Sequence, residues 1–247
     1  MTDAHCHVAH GDTRHFLCDP FAGAAGPRDV RFVGCHPWDS SRPVDFGLLR
    51  ARLASDPRLG VGEIGLDRLR ERTIPPRMRD VFDRQLELAA EFGRPVVLHG
   101  AKCWGEVVRA AVARAAGIPS FLFHGFSRSG GLLPDIVAMN GYVSVGPAIL
   151  NDHAVNYREL AKRVPADRLL VETDMTPETA GATPPVAAVA AKLAELRGVA
   201  VDALAAQLEA NADAFCRPLA GQRSSPTHPR PSFAHCHKRK FRVYYTP

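Results

Sequence analysis

The feature that most constrains this chain is a rhythm. Short apolar runs recur at intervals of roughly 25–35 residues, and each is followed by a segment with helical periodicity. Strands alternating with helices in this way are the pattern of βα units arranged around a parallel sheet. The expected strands are Arg31–Cys35, Leu59–Ile64, Pro95–Leu98, Ser120–Phe123, Gly141–Val145 and Leu169–Glu172, after a short strand at the N-terminus. Met78–Phe92 carries Met78, Phe82, Leu86 and Ala89 on one face before Gly93 and Pro95 stop it, as a crossover helix should. Trp104–Ala116, Asp152–Val164, Pro185–Leu196 and Val201–Phe215 are the further helices expected. The fold class is therefore α/β, a (β/α) barrel. Seven strands are countable in the sequence, whereas a complete barrel of this kind has about eight. The deficit falls in 8–30, a Gly-, Asp- and Pro-containing segment too short for a helix, a strand and a second helix. A shortened or missing early βα unit is the expectation there.

Residues 1–220 suffice for one barrel-sized core, given 46% hydrophobic residues overall. Beyond Leu219 the composition turns to Ser, Pro, His, Lys and Arg without apolar periodicity, so 221–247 is expected to be a disordered basic tail. That tail also governs the charge. Its 27 residues hold six of the 31 basic residues and none of the 26 acidic ones, so the net +5 leaves 25 against 26 in the body. Bulk charge therefore identifies no partner. No run approaches the roughly 20 apolar residues of a membrane span, and the start lacks a secretory layout. An intracellular protein is expected, cytoplasmic or alternatively nuclear, with no membrane partner. Six scattered cysteines without CxxC pairs read as reduced thiols.

Metal-type side chains sit where the apolar runs end. His5 and His7 follow the first strand, and Glu63, His99, His124 and Asp174 end four later ones. In a parallel barrel those ends share one face, the mouth where active sites lie. His5 and His7 alternate by two along an extended segment, so both point the same way and can share an ion. Imidazoles with carboxylates suit zinc, manganese or magnesium, and Glu63 can bridge two ions about 3.5–4 Å apart. Blander readings stay open: a buried satisfied histidine at His99, an arginine partner at Glu63, a helix cap at Asp174.

The motifs DAHCH, GCHPW, GEIGLD, PVVLH, FHGFS and LLVETD follow one another over 1–219, and Asn211-Ala212-Asp213-Ala214-Phe215 closes the series. In order and spacing they resemble the TatD-type metal-dependent deoxyribonucleases. The resemblance implies an amidohydrolase-like TIM barrel. It implies two divalent ions, magnesium first and zinc or manganese as alternatives, held by His5, His7, Glu63, His99, His124 and Asp174. Glu63 would bridge them, and Asp174 would be ligand and general base; these two are the implied catalytic residues. It also implies trimming of DNA, single-stranded or at strand ends, often from the 3′ end. The chain departs from the pattern in 8–30.

Arg68, Lys102 and Arg128 follow strand ends or motifs and are candidates to neutralise phosphate, with solvated loop charge as the alternative. Trp38 and Trp104 either stack a base or pack. His36 falls near the metals and ranks below the six. His235-Cys236-His237 repeats the HxH spacing within the basic tail, on no strand end. Two other functions stay in view: a hydrolase of a small amide, lactone or phosphoester on the same site, and a non-catalytic module binding nucleic acid or protein.

Overall fold

The structure is a computed structural model that describes residues 1–18, 25–70, 72–127 and 130–220. Its centre is an eight-stranded sheet in strict chain order: β1 (Thr2–Cys6), β2 (Arg14–Leu17), β3 (Val30–Val33), β4 (Gly60–Asp67), β5 (Val96–Ala101), β6 (Phe121–Phe123), β7 (Gly141–Val145) and β8 (Leu169–Val171). Every neighbouring pair is parallel. Just beyond β8 the sheet returns to its first strand. Asp174 N–H donates to His5 C=O at 3.0 Å, and His7 N–H donates to Met175 C=O at 2.8 Å. The result is a nearly closed TIM-like barrel.

The count of seven strands is corrected to eight, because β2 lies inside 8–30. Arg-His-Phe-Leu does not look like a buried parallel strand, which normally reads as a continuous apolar run. The exception is possible because His15 is satisfied: Asp29 Oδ1 accepts from its backbone N–H and from Nδ1, both at 2.9 Å. What is shortened is the connection. Residues 7–13 form bends and turns, and no helix lies among the described residues between β1 and β3.

The helices are α1 (Phe46–Ser55), α2 (Pro76–Phe92), α3 (Trp104–Val112), α4 (Leu133–Ala138), α5 (Val155–Arg163), α6 (Val186–Arg197) and α7 (Val201–Ala220). In α2 the expected face, Met78, Phe82, Leu86 and Ala89, is buried, and Gly93 ends the helix in the left-handed region at φ +59°. Two helices were not expected, α1 and α4.

One apolar cluster joins Ala4, Phe16, Phe32, Val97, Leu122, Tyr142 and Leu170 from seven strands to Phe215 of α7. Phe215 lies 5.5 Å from Phe16, 5.7 Å from Tyr142 and 6.0 Å from Phe32, centroid to centroid. Polar ties fix the helix beneath the strand starts. Asn211 Nδ2 donates to Ala166 C=O and Leu169 C=O at 2.7 Å, and Ser120 Oγ donates to Phe215 C=O at 2.9 Å. With α7 plugging the N-terminal end, the strand C-termini are left as the open mouth. No helix among the described residues is long and apolar enough to cross a membrane. The expected tail, 221–247, with His235, Cys236 and His237, lies outside the described residues, as does Arg128.

Candidate metal centre

Glu63 stands at the middle of the mouth because β4 presses tightly on β5. A Cβ at Gly65 would sit 2.0 Å from the His99 carbonyl oxygen, and one at Gly62 would meet Val97 at 2.8 Å. Only glycine permits that approach. The β4–β5 register shifts between Val61 and Ile64, where the Gly62–Glu63 peptide is cis. The Glu63 side chain is 4% exposed and surrounded by imidazoles.

Its two oxygens face two different groups. Glu63 Oε2 lies 3.4 Å from His5 Nε2 and 3.5 Å from His7 Nε2, and Asp174 Oδ1 lies at the same distances from the same two nitrogens. Glu63 Oε1 lies 2.6 Å from His124 Nε2, 2.7 Å from His99 Nδ1 and 3.5 Å from His36 Nε2. His5, His7, His99 and His124 therefore converge on the Glu63 carboxylate, Asp174 shares His5 and His7 with it, and His36, which the sequence ranked lower, joins them.

The donor set fits divalent metal. His5, His7 and Asp174 bring three ligand atoms within 4.8 Å of one another, as do His5, Glu63 and His124, and His36, Glu63 and His99. Separations of 3.4–3.5 Å are too long for hydrogen bonds between His5 or His7 and the carboxylates. They match neighbouring ligands around one ion, since tetrahedral bonds of about 2.1 Å place ligands about 3.4 Å apart. His5 is fully buried, yet neither ring nitrogen has a hydrogen-bond partner among the described residues; His124 Nδ1 is likewise orphaned. A buried unpaired polar atom costs about 1–3 kcal/mol, which coordination by His5 would recover.

Electrostatics point the same way. Burial would raise the Glu63 carboxyl, but His124, His36 and His5 together hold it well below the usual carboxylate range. Burial also opposes ionisation of Asp174, which the adjacent His5 and His7 imidazoles keep well below that range. In return, His5 is raised well above an ordinary histidine: burial lowers it, and Cys18, Glu63 and Asp174 outweigh burial. His124 is raised to about 9 by Glu63 and Glu172, against burial and His5. The carboxylates demand positive charge, which the imidazoles supply as protons and a cation would supply instead.

Further residues hold these groups in place. Asp67 Oδ2 accepts from His99 Nε2 at 3.0 Å and from Trp38 Nε1 at 2.8 Å, which commits His99 Nδ1 to the centre. Glu172 Oε1 lies 3.7 Å from His124 Nδ1, and Glu172 Oε2 accepts from Ser144 Oγ. Asp3 clasps the β1–β8 junction, accepting from Thr173 N–H at 3.0 Å and Thr173 Oγ1 at 2.5 Å. The clasp sets the path of Asp174, which follows at φ +51° with 53% of its side chain exposed to the mouth. Sequence reasoning missed Asp3, Asp67 and Glu172, although each stands two or four residues from a ligand within the same motif. For Asp3 on β1 and Asp67 on β4 that spacing shares the face of His5 and of Glu63. Asp3, Cys6 and His10 also cluster. There, however, Asp3 is saturated by Thr173, His10 and the His5 N–H, and burial pushes the Cys6 thiol far up.

The rim residues divide. Arg68 is exposed and faces Glu106 at 3.5 Å. Lys102 is exposed directly after β5, at φ +57°. Trp104 is 3% exposed and packs on Phe126 and Phe123, so it belongs to the core. The five described cysteines are free.

A parallel barrel with a carboxylate-bridged histidine cluster at its mouth defines a metal-dependent hydrolase. The chain belongs to the TatD related DNase family, whose pattern matches residues 22–217. It is 26% identical to the uncharacterized metal-dependent hydrolase YcfH of Escherichia coli K12, over 88% of this chain and 94% of that one. It is 30% identical to the 3′-5′ ssDNA/RNA exonuclease TatD of Erwinia billingiae, over 73% of this chain and 74% of that one. Against several other curated relatives the match spans little more than half of their length. Among solved structures, YJJV, a TatD homologue from Escherichia coli K12, superposes with a TM-score of 0.66 at 26% identity, covering 77% of each chain.

Proposed function

We propose that this hydrolase cleaves phosphodiester bonds in nucleic acid, DNA that is single-stranded or has accessible ends, using two divalent ions shared across Glu63. The observation that carries the reading is the split of Glu63, with Oε2 toward His5 and His7, which Asp174 also faces, and Oε1 toward His99 and His124. Magnesium is the metal we favour, with zinc or manganese as the alternatives that this nitrogen-rich set also suits. The chemistry supplied by ions bound there is charge neutralisation at the phosphate and a lowered pKa for the attacking water. Asp174 takes the proton from that water. It is half exposed to the mouth and stays ionised under its two histidines. His99 is kept oriented by Asp67, and Lys102 and Arg68 stand on the rim where a phosphate backbone would pass. The names of relatives such as the Erwinia exonuclease support nucleic acid as the substrate class.

The test pairs metal analysis of the purified protein with release of nucleotides from single-stranded DNA, run beside small carboxylic and phosphate esters. Asp174→Asn should lose roughly 10²–10⁴-fold in rate. Full activity in that variant, or a wild type that cleaves only the small esters, would refute the proposal.

A further inference from the structure

We infer that Arg70, mounted on Trp38, is the substrate-phosphate contact beside the metal centre, holding a phosphate of the same strand next to the one being cleaved. The inference rests on the nucleic-acid reading above. Arg70 lies three residues past β4 and Trp38 lies in the 3-10 turn Pro37–Asp39 past β3, so both stand at the mouth. The exposed Arg70 guanidinium sits 4.0 Å from the centroid of the Trp38 ring, close enough for a cation–π contact. That ring is fixed in turn. Its Nε1–H donates to Asp67 Oδ2, the same oxygen that receives His99 Nε2–H, and it meets His36 edge-on at 4.8 Å. One carboxylate oxygen thus anchors both a metal ligand and the platform under Arg70.

Another cation on this loop is differently placed. Arg68 faces Glu106, which also pairs with Arg79, so a phosphate would have to compete with a carboxylate for it. No ion pair engages Arg70 among the described residues. A guanidinium held over an aromatic face keeps its N–H edge free for bidentate contact with a phosphate, and part of its ordering cost is already met. The ligand class is a phosphodiester with a neighbouring phosphate. An isolated diester lacks the group that Arg70 would grip.

Steady-state kinetics of wild type, Arg70→Ala and Arg70→Lys should be measured on a single-stranded oligonucleotide and on bis(p-nitrophenyl) phosphate. For Arg70→Ala the loss should fall on KM, and the ratio of oligonucleotide KM to small-diester KM should rise roughly tenfold. Arg70→Lys should restore charge but not the two-point grip, so it should recover only part of that ratio. The slope of oligonucleotide affinity against salt should fall by about one in Arg70→Ala. An unchanged KM ratio and salt slope, in a wild type that does cleave the oligonucleotide, would overturn the role of Arg70 alone. A wild type that cleaves the small diester but no oligonucleotide would overturn the nucleic-acid reading and this inference with it.

Discussion

Asp67→Asn is the sharpest probe of how the metal centre is held, because it changes one atom type at a buried position outside the ligand set. Asp67 is 2% exposed and accepts three hydrogen bonds: from His99 Nε2 at 3.0 Å, from Trp38 Nε1 at 2.8 Å and from the Leu69 N–H at 2.6 Å. An asparagine presents one oxygen and one NH2 group. If the oxygen stays with Leu69, the NH2 faces Trp38 Nε1–H and His99 Nε2. His99 can accept from it only by moving its own proton to Nδ1, the atom that lies 2.7 Å from Glu63 Oε1. That proton blocks Nδ1 as a ligand. If the amide turns over, the backbone N–H of Leu69 is orphaned instead. Loss of such an outer partner weakens metal binding about 10–100-fold, or about 1.4–2.7 kcal/mol. The unpaired indole or amide costs a further 1–3 kcal/mol or so of fold stability. Calorimetric titration of metal into metal-free protein, with a thermal melt alongside, gives both quantities. A folded variant that binds metal as tightly as wild type would show that the His99 tautomer is not set from Asp67.

Two other outcomes follow from the same geometry. In metal-free protein, His124 is raised from 6.5 to about 9, so its share of stability is complete below pH 6.5 and disappears as pH rises toward 9. Glu63, held well below 4.5, contributes in the opposite sense, above about pH 4.5, and its share is lost on acidification. The melting temperature of the metal-free protein should therefore crest between these limits, while metal affinity climbs through pH 6.5–9 as competing protons leave. A flat affinity across that range would contradict the assignment of His124 as a ligand. Phe215→Ala removes the plug at the closed end, costing about 3–5 kcal/mol and lowering Tm by roughly 6–20 °C. Metal affinity in the surviving folded protein should change far less, because the plug lies at the opposite end of the strands.

Much of this was legible in the sequence, and the parts that were not have specific causes. The six proposed ligands stood out because each ends an apolar run, and a parallel barrel gathers such ends at one face. The strand β2 was hidden because Arg14 and His15 break its apolar character, and only a partner fourteen residues on, Asp29, makes His15 acceptable inside. The helix α1 buries only Leu49 and Leu53, and α4 has six residues, so neither offers a periodic face long enough to recognise. Asp67 and Asp3 escaped notice because their partners lie 29 and 170 positions away, separations at which spacing carries no information. Arg70 was passed over for Arg68 for the same reason: the two differ in what they touch, Trp38 in one case and Glu106 in the other.

The short first unit explains why the polar ties cluster where they do. A crossover helix normally covers the outside of the strands it joins and holds their ends in register. Between β1 and β2 there is none, and side-chain bonds take over that task. His10 Nε2 lies 2.8 Å from Asp3 Oδ2, His15 Nε2 lies 2.9 Å from the His10 carbonyl, and Asp29 holds His15 from the other side. Asp3, two residues before His5 on β1, passes the constraint across the junction to Thr173, one residue before Asp174. The proposed ligands on either side of that junction, His5 and Asp174, are thereby fixed relative to each other by a carboxylate rather than by a helix. The segment that departs most from a regular barrel can thus keep its end of the metal centre intact.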